Sequence, residues 1–199
     1  MDQAKTAIKK TYNALYSAVK PIASLIYPLK HVGRENIPEG PAVVCANHSN
    51  YVDPVLVALA FGRKNMLQFM AKKELFKNPV VAKIFRSCGV IPVDRGETDM
   101  GAIRAAMKCL GSGGKILIFP EGTRSENDNV EPKTGAVRIA AKMKAPIIPV
   151  YVPRGKKAFG LVTIRIGKPY YVEAKTHEEY QAASVDLMRR ISALGKKNK

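Results

Sequence analysis

The chain has 199 residues, enough for one domain with a sizeable core, and its 46% hydrophobic content excludes a disordered chain. Thirty-three Lys and Arg against 16 Asp and Glu give a formal charge of +17, which calls for an anionic partner: a membrane surface, a phosphorylated substrate, an acidic protein or nucleic acid. Cys45, Cys88 and Cys109 lie inside apolar segments with neither C-x-x-C nor Cys/His metal spacing, and fit small core residues in a reduced, cytosolic interior.

The opening residues lack the basic head, unbroken apolar block and small-residue cleavage site of a secretory signal. No run of about 18 uncharged apolar residues would span a bilayer. Instead Ile8, Tyr12, Leu15, Tyr16, Val19, Ile22, Leu25, Ile26 and Leu29 recur at helical spacing, with Lys5, Lys9, Lys10 and Lys20 among them. The expectation is an amphipathic, basic helical segment over 1–32, broken or bent at Pro21 into two short helices. It has two readings: a helix lying in the interface of an anionic membrane, or a helix packed on the domain core.

After Pro38-Glu39-Gly40, strand-like and helix-like patterns alternate without repeats, which predicts a single α/β domain over 33–199. Ala42–Ala46 reads as a short buried strand. Asp53-Pro54 then reads as a helix cap with proline at the first helical position, leading Val55–Leu59. Met66–Ala71 reads as a strand, Asn78–Cys88 as a short helix and Gly89–Val93 as a strand ending in Asp94-Arg95-Gly96. Thr98 is placed to cap a helix stopped by Gly111. The glycines of Gly111–Lys115 lack the spacing and the following hydroxyl of a phosphate loop, and read as a helix stop. Lys115–Phe119 and Pro146–Val152 are core strands, with a helix over Thr134–Met143 between them. Leu161–Val172 alternates like an edge or half-exposed strand, and Thr176 with Glu179 forms a capping box for a last helix.

Chemistry gathers at three strand ends. His48 lies five residues before Asp53, and the two side chains meet only if the segment between them turns. A carboxylate that holds one imidazole N–H leaves the other nitrogen free to take a proton from a hydroxyl. The competing reading makes Asp53 a helix cap and His48 a loop residue. Arg95 closes the run Gly89–Val93, and Glu121, Gly122 and Arg124 close the run Lys115–Phe119. A guanidinium offers a fork for phosphate oxygens, a glycine admits close approach to the backbone, and a carboxylate orients a hydroxyl or an arginine. In the competing reading Arg95 is a surface turn residue and Glu121–Arg124 a charged loop.

Together these blocks resemble the glycerolipid acyltransferases of the 1-acylglycerol-3-phosphate type: N-H-x4-D at Asn47–Asp53, a strand ending in arginine at Gly89–Arg95, F-P-E-G-T-R-S at Phe119–Ser125, and a proline-bearing apolar strand at Pro146–Val150. The resemblance spans about Gly33 to Pro169. It implies an α/β domain with a mixed, mostly parallel sheet flanked by helices, and a helical N-terminus seated on the cytoplasmic face of a membrane as a peripheral contact. It implies His48 as general base, Asp53 as its orienting partner, Arg95 as phosphate ligand and Glu121, Gly122 and Arg124 at the acceptor site. Lys72 and Lys73 are further phosphate candidates, and Lys133 a weaker one.

The implied reaction moves a fatty acyl group from a thioester, acyl-CoA or acyl carrier protein, to the free hydroxyl of lysophosphatidic acid, forming phosphatidic acid without a metal or bound cofactor. Backbone N–H groups near His48 or Gly122 are the expected oxyanion donors. The competing class is a non-catalytic basic domain that binds anionic membranes or nucleic acid. It leaves the order of His48, Asp53, Arg95 and Glu121 unexplained, and the chain lacks aromatic stacking motifs of RNA-binding modules, so nucleic acid is not expected as a partner.

Overall fold

The runs Ala42–Ala46 (β2), Lys115–Ile118 (β5) and Ile147–Tyr151 (β6) are almost continuously apolar, which suits parallel strands covered on both faces. A computed structural model describes residues 2–94, 99–125 and 130–196 and places these three strands side by side. With Leu29–Val32 (β1), Leu67–Lys72 (β3), Ile91–Val93 (β4) and Val162–Ile166 (β7), they form a seven-stranded sheet among the described residues, in the order β1-β7-β6-β2-β5-β3-β4. Strands β6, β2, β5, β3 and β4 run parallel, so their carboxyl ends share one edge. β7 is antiparallel to β6, and β1 is parallel to β7. The predicted α/β fold with a mixed, mostly parallel sheet is the fold observed.

Period-two alternation sorts β2 between two cores. Val43 and Cys45 face Met100–Gly111 (α4), Gly135–Met143 (α5) and His177–Lys196 (α6). Ala42, Val44 and Ala46 face Asp53–Phe61 (α2), whose Leu56, Val57, Ala60 and Phe61 are buried there. Arg34 fixes the far end of α2 by donating to the carbonyls of Leu59 and Ala60 at 3.0 and 2.5 Å. The Thr176–Glu179 box forms as expected: Glu179 N–H donates to Thr176 Oγ1, and Glu179 Oε2 accepts from Thr176 and Lys175. Gly111–Lys115 is a helix stop and turn, with Gly113 at φ 79°.

Four local readings are corrected. The N-terminal segment is one helix, Asp2–Ile26 (α1), which runs through Pro21 instead of dividing there. Pro21 and Ser17 both lie on the exposed face, so the carbonyl that loses its N–H partner faces solvent. The strand expected over Leu161–Val172 is only Val162–Ile166; it is the half-exposed strand of the two readings, alternating buried and half-buried residues, and not an edge, because β1 pairs along Leu29↔Val162 to Val32↔Arg165. The edge strand on that side, β1, has the uneven polarity Leu-Lys-His-Val and carries no alternating signal. The described cap of α4 is Asp99, whose Oδ1 accepts from Ala102 N–H; Thr98 lies outside the described residues. Asp53 does not cap α2 in the expected way; its side chain folds back over the preceding turn.

The first half of α1 packs on the domain, with Tyr12 buried, the Tyr16 hydroxyl on the Leu59 carbonyl and Lys5 on that of Ser112. Its last turns leave Val19, Ile22 (63% exposed) and Leu25 (71%) uncovered. Among the described residues no helix is long and apolar enough to cross a membrane.

Candidate active site

The register of the central strands decides what meets His48. Ala46 pairs with Val150 of β6 and Cys45 with Ile118 of β5, so continuing both ladders brings His48 level with Val152 and Glu121. The regular ladders stop there, and side chains take over. Asn47 Nδ2 donates to the Val152 carbonyl at 2.7 Å, and its Oδ1 accepts from Val152 N–H at 2.8 Å. His48 N–H donates to Glu121 Oε1 at 3.2 Å, and Ser125 N–H donates to the His48 carbonyl at 2.9 Å. Loops after adjacent strands are thus sewn together around one histidine, at the carboxyl edge where open α/β sheets bind their ligands.

The turn between His48 and Asp53 brings Nδ1 and Asp53 Oδ2 to 3.0 Å, both side chains buried. The same Oδ2 accepts the backbone N–H groups of Ser49 and Asn50, each at 2.7 Å, while Oδ1 lies 2.7 Å from Lys156 Nζ. Burial alone would raise the Asp53 pKa; hydrogen bonds from His48, Lys156, Asn50 and Ser49 outweigh it and hold the carboxyl below its ordinary value. A carboxylate so held makes Nδ1 the protonated nitrogen and leaves the Nε2 lone pair available. The ring stacks on Phe119, with centroids 4.1 Å apart and planes inclined 22°.

Glu121 is also buried, and Arg154 NH2 meets its Oε1 at 2.6 Å. Burial pushes the Glu121 pKa upward, against the pull of Arg154 and of the His48 backbone. Arg154 NH1 also reaches the carbonyls of Ser125 and His48, so one guanidinium ties all three loops. Gly122 closes the turn with φ 68°, and a Cβ there would sit 3.3 Å from Lys133 Cγ. Arg124 lies over the exposed Tyr51 ring, 3.8 Å from its centroid. Thus His48, Asp53 and Glu121 come together, and Gly122 adjoins them in the sequence.

Lys72 and Lys73 stand at the end of β3, with β5 between that strand and β2. They pair with acidic side chains, Lys72 with Glu74 at 3.1 Å and Lys73 with Asp94 at 4.0 Å, and both lysines are largely exposed. Arg95 lies outside the described residues; Asp94 before it has its N–H bound to Asp99 Oδ2. The expected oxyanion donors are already engaged: the N–H groups of His48, Ser49 and Asn50 bind carboxylates, and that of Gly122 binds the Phe119 carbonyl. Cys45 is fully buried and its thiol pKa is pushed up by burial, so it is no nucleophile. Among the described residues no cluster of three or more His, Cys, Asp or Glu side chains is placed to hold a metal ion.

Sequence reasoning missed Asn47, Phe119, Arg154 and Lys156. Asn47 and Phe119 stood inside the quoted motifs without a role. Arg154 and Lys156 follow β6 in a basic loop, and only the sheet register reveals that this loop faces His48.

Residues 28–153 match the sequence pattern of the family described as Acyltransferase. The chain belongs to the acyltransferase family. It is 33% identical over 196 residues to the 1-acyl-sn-glycerol-3-phosphate acyltransferase of Bacillus subtilis (strain 168), covering 94% of this chain and 98% of that protein. It is 39% identical over 109 residues to the enzyme of the same name from Streptococcus pneumoniae, covering 54% of this chain and 40% of that one. A chloroplastic relative from Brassica napus is 30% identical over 164 residues, or 47% of its length. The crystal structure of the 1-acyl-sn-glycerophosphate (LPA) acyltransferase PlsC from Thermotoga maritima superimposes with a TM-score of 0.68 at 27% identity, covering 96% of this chain and 80% of that one. This acyltransferase therefore carries its buried His48 and Asp53 inside the matched region, with Glu121 on the neighbouring strand end.

Proposed function

We propose that this acyltransferase transfers a fatty acyl group from a thioester to the free hydroxyl of lysophosphatidic acid, forming phosphatidic acid, with His48 as general base and Asp53 as its partner. The observation that carries the proposal is the 3.0 Å contact of His48 Nδ1 with Asp53 Oδ2, which leaves Nε2 without a hydrogen-bond partner among the described residues. The names of the bacterial relatives support the acceptor.

Nε2 takes the hydroxyl proton as the acceptor oxygen attacks the thioester carbonyl, and Asp53 stabilises the imidazolium so formed. As the tetrahedral intermediate collapses, the C–S bond breaks and His48 returns the proton to the leaving thiolate. Proton transfer of this kind contributes about 10²–10⁴-fold. Arg95, which follows β4 in the sequence, supplies positive charge for the acceptor phosphate together with Lys72 and Lys73 at the end of β3. Glu121, Gly122 and Arg124 shape the acceptor side. A cavity of about 760 Å³ beside β4 is lined by Phe76 and Ile91 and by equal numbers of cations (Lys73, Lys77, Arg86) and carboxylates (Glu74, Asp94, Asp99), so it combines apolar surface with charges of both signs. The chain's +17 charge suits either donor, through the phosphates of coenzyme A or the acidic surface of a carrier protein.

The enzyme meets its lipid as a peripheral contact on the cytoplasmic face of an anionic membrane. Ile22 and Leu25 on the last turns of α1 are exposed, as are Val80 and Ile84 on the adjoining helix Pro79–Ser87 (α3). Phe159, 74% exposed, is bound through its N–H to the Ile26 carbonyl, which sets it against the end of α1. Lys20 and Lys30 are exposed nearby in the chain.

The test is transfer from labelled acyl-CoA and acyl carrier protein to lysophosphatidic acid in anionic vesicles, comparing wild type with His48→Ala. Product from wild type, reduced by about 10²–10⁴ in the variant, is the expected result. Equal product from both would remove His48 as the base, and no product with either donor would remove the acceptor.

A further inference from the structure

Lys156 lies in the loop between β6 and β7, with its side chain only 1% exposed. Its Nζ is 2.7 Å from Asp53 Oδ1, 3.0 Å from Ser49 Oγ and 2.6 Å from the Pro153 carbonyl. The ammonium thus donates to a hydroxyl and a carbonyl and pairs its charge with Asp53 Oδ1. Burying such a group is costly unless its charge is answered, and here it is answered by the carboxylate that also holds His48. Asp53 needs no lysine to be satisfied on its other side, where Oδ2 already takes one imidazole and two backbone N–H groups. Lys156 therefore acts on the charge of the pair as well as on its geometry.

We propose that Lys156 is a positioning residue for the His48–Asp53 base: it fixes the Asp53 carboxylate plane toward Nδ1 and holds the imidazole in its neutral, proton-accepting form. This rests on the acyl-transfer reading above. Asp53 on its own favours the imidazolium, and a neighbouring ammonium opposes that bias.

The surroundings of the pair make the balance simple. Helix α2 contributes Asp53; the loop after β5 contributes Glu121, on the His48 backbone; the loop after β6 contributes Arg154, paired with Glu121, and Lys156, paired with Asp53. Phe119 covers the ring without charge. Two carboxylates thus face two cations. Removing the Lys156 charge leaves the group net negative, so the imidazolium persists to higher pH. A unit charge two bonds of this network away, in a partly solvated site, moves that equilibrium by about one pH unit.

The experiment compares wild type with Lys156→Met, Lys156→Gln and Lys156→Arg, each checked for folding by circular dichroism. The His48 imidazole is titrated by NMR, assigned by its loss in His48→Ala, with His31 and His177 as internal controls. The pH profile of kcat/KM is recorded alongside. In Met and Gln variants the His48 midpoint and the acid limb of the profile should both move up by about one unit, while His31 and His177 stay in place. Lys156→Arg should return both toward wild type. Gln retains hydrogen bonding without charge, so a purely structural role would leave the midpoint unmoved in it, and that result overturns the proposal. The NMR titration needs no turnover. A shifted midpoint in an enzyme that makes no phosphatidic acid would therefore uphold Lys156 and overturn only the acceptor, whereas an unmoved midpoint in an active enzyme would do the reverse.

Discussion

Asp53→Asn is the sharpest single test of the site, because every partner of this carboxylate is a donor. Oδ2 accepts from His48 Nδ1, Ser49 N and Asn50 N, and Oδ1 faces the Lys156 ammonium. An amide has one oxygen to offer. With its NH2 toward Lys156, two donors oppose each other and a buried cation is left unanswered; with its NH2 toward His48, Nδ1 must become the acceptor and Nε2 the protonated nitrogen, which abolishes the base. Breaking a buried ion pair from one side costs about 3–5 kcal/mol. For a chain of this size, that lowers the melting temperature by roughly 6–20 °C. Activity should fall by about 10²–10⁴, the full share of general-base catalysis. Thermal melts and acyl transfer at a temperature where the variant is folded read the two effects separately. A folded Asp53→Asn enzyme within about tenfold of wild-type kcat would refute the assignment of Asp53 to the base.

Asn47→Ala removes two short hydrogen bonds and strands both backbone groups of the buried Val152, so it should cost about 2–4 kcal/mol; an unchanged melting temperature would contradict this. Stability against urea should carry two opposed acid-range terms. The Asp53 pKa lies below its ordinary 3.8 in the folded protein, so its contribution is present above 3.8 and lost as pH falls through the folded value. The Glu121 pKa lies above its ordinary 4.5, so the folded protein keeps a proton the unfolded chain has released, and stability declines as pH rises from 4.5 through the folded value; Glu121→Gln should erase that decline and leave the Asp53 term. Combined Leu25→Ser and Phe159→Ser, at side chains 71% and 74% exposed, should weaken binding to anionic vesicles by at least about tenfold without changing the fold, and equal binding in a sedimentation assay would dismiss this face as the membrane contact.

What the sequence disclosed follows from how far each signal reaches. β2, β5 and β6 are legible because a strand buried on both faces must be apolar throughout, and Thr176 with Glu179 is legible because a capping box is satisfied within four residues. His48 and Asp53 are legible for the same local reason, although the direction in which Asp53 bonds, back over Ser49 and Asn50 instead of forward into α2, is settled by the imidazole and Lys156. β1 is illegible because an edge strand needs no periodicity when its partner supplies the burial. Lys156 is illegible for a statistical reason with a physical cause: in a chain with 33 basic residues a lysine is by default a solvated surface group, and only contact across more than 100 residues of sequence gives this one a buried carboxylate.

The dependence of the site on register explains why its chemistry sits on short loops yet is held tightly. β2 lies between β6 and β5, and the loops after all three supply the proposed base, its carboxylate neighbours and their cations. Where the backbone ladders end, Asn47 ties β2 to β6, Glu121 ties β5 to β2, and Arg154 ties β6 to both. A slip of one residue between β2 and either neighbour would turn these side chains to the opposite face, breaking several buried polar contacts at once. The penalty for the wrong register is therefore concentrated at the same strand ends that carry the candidate site. In this fold the residues that specify how the central strands align are the residues that hold His48 in place.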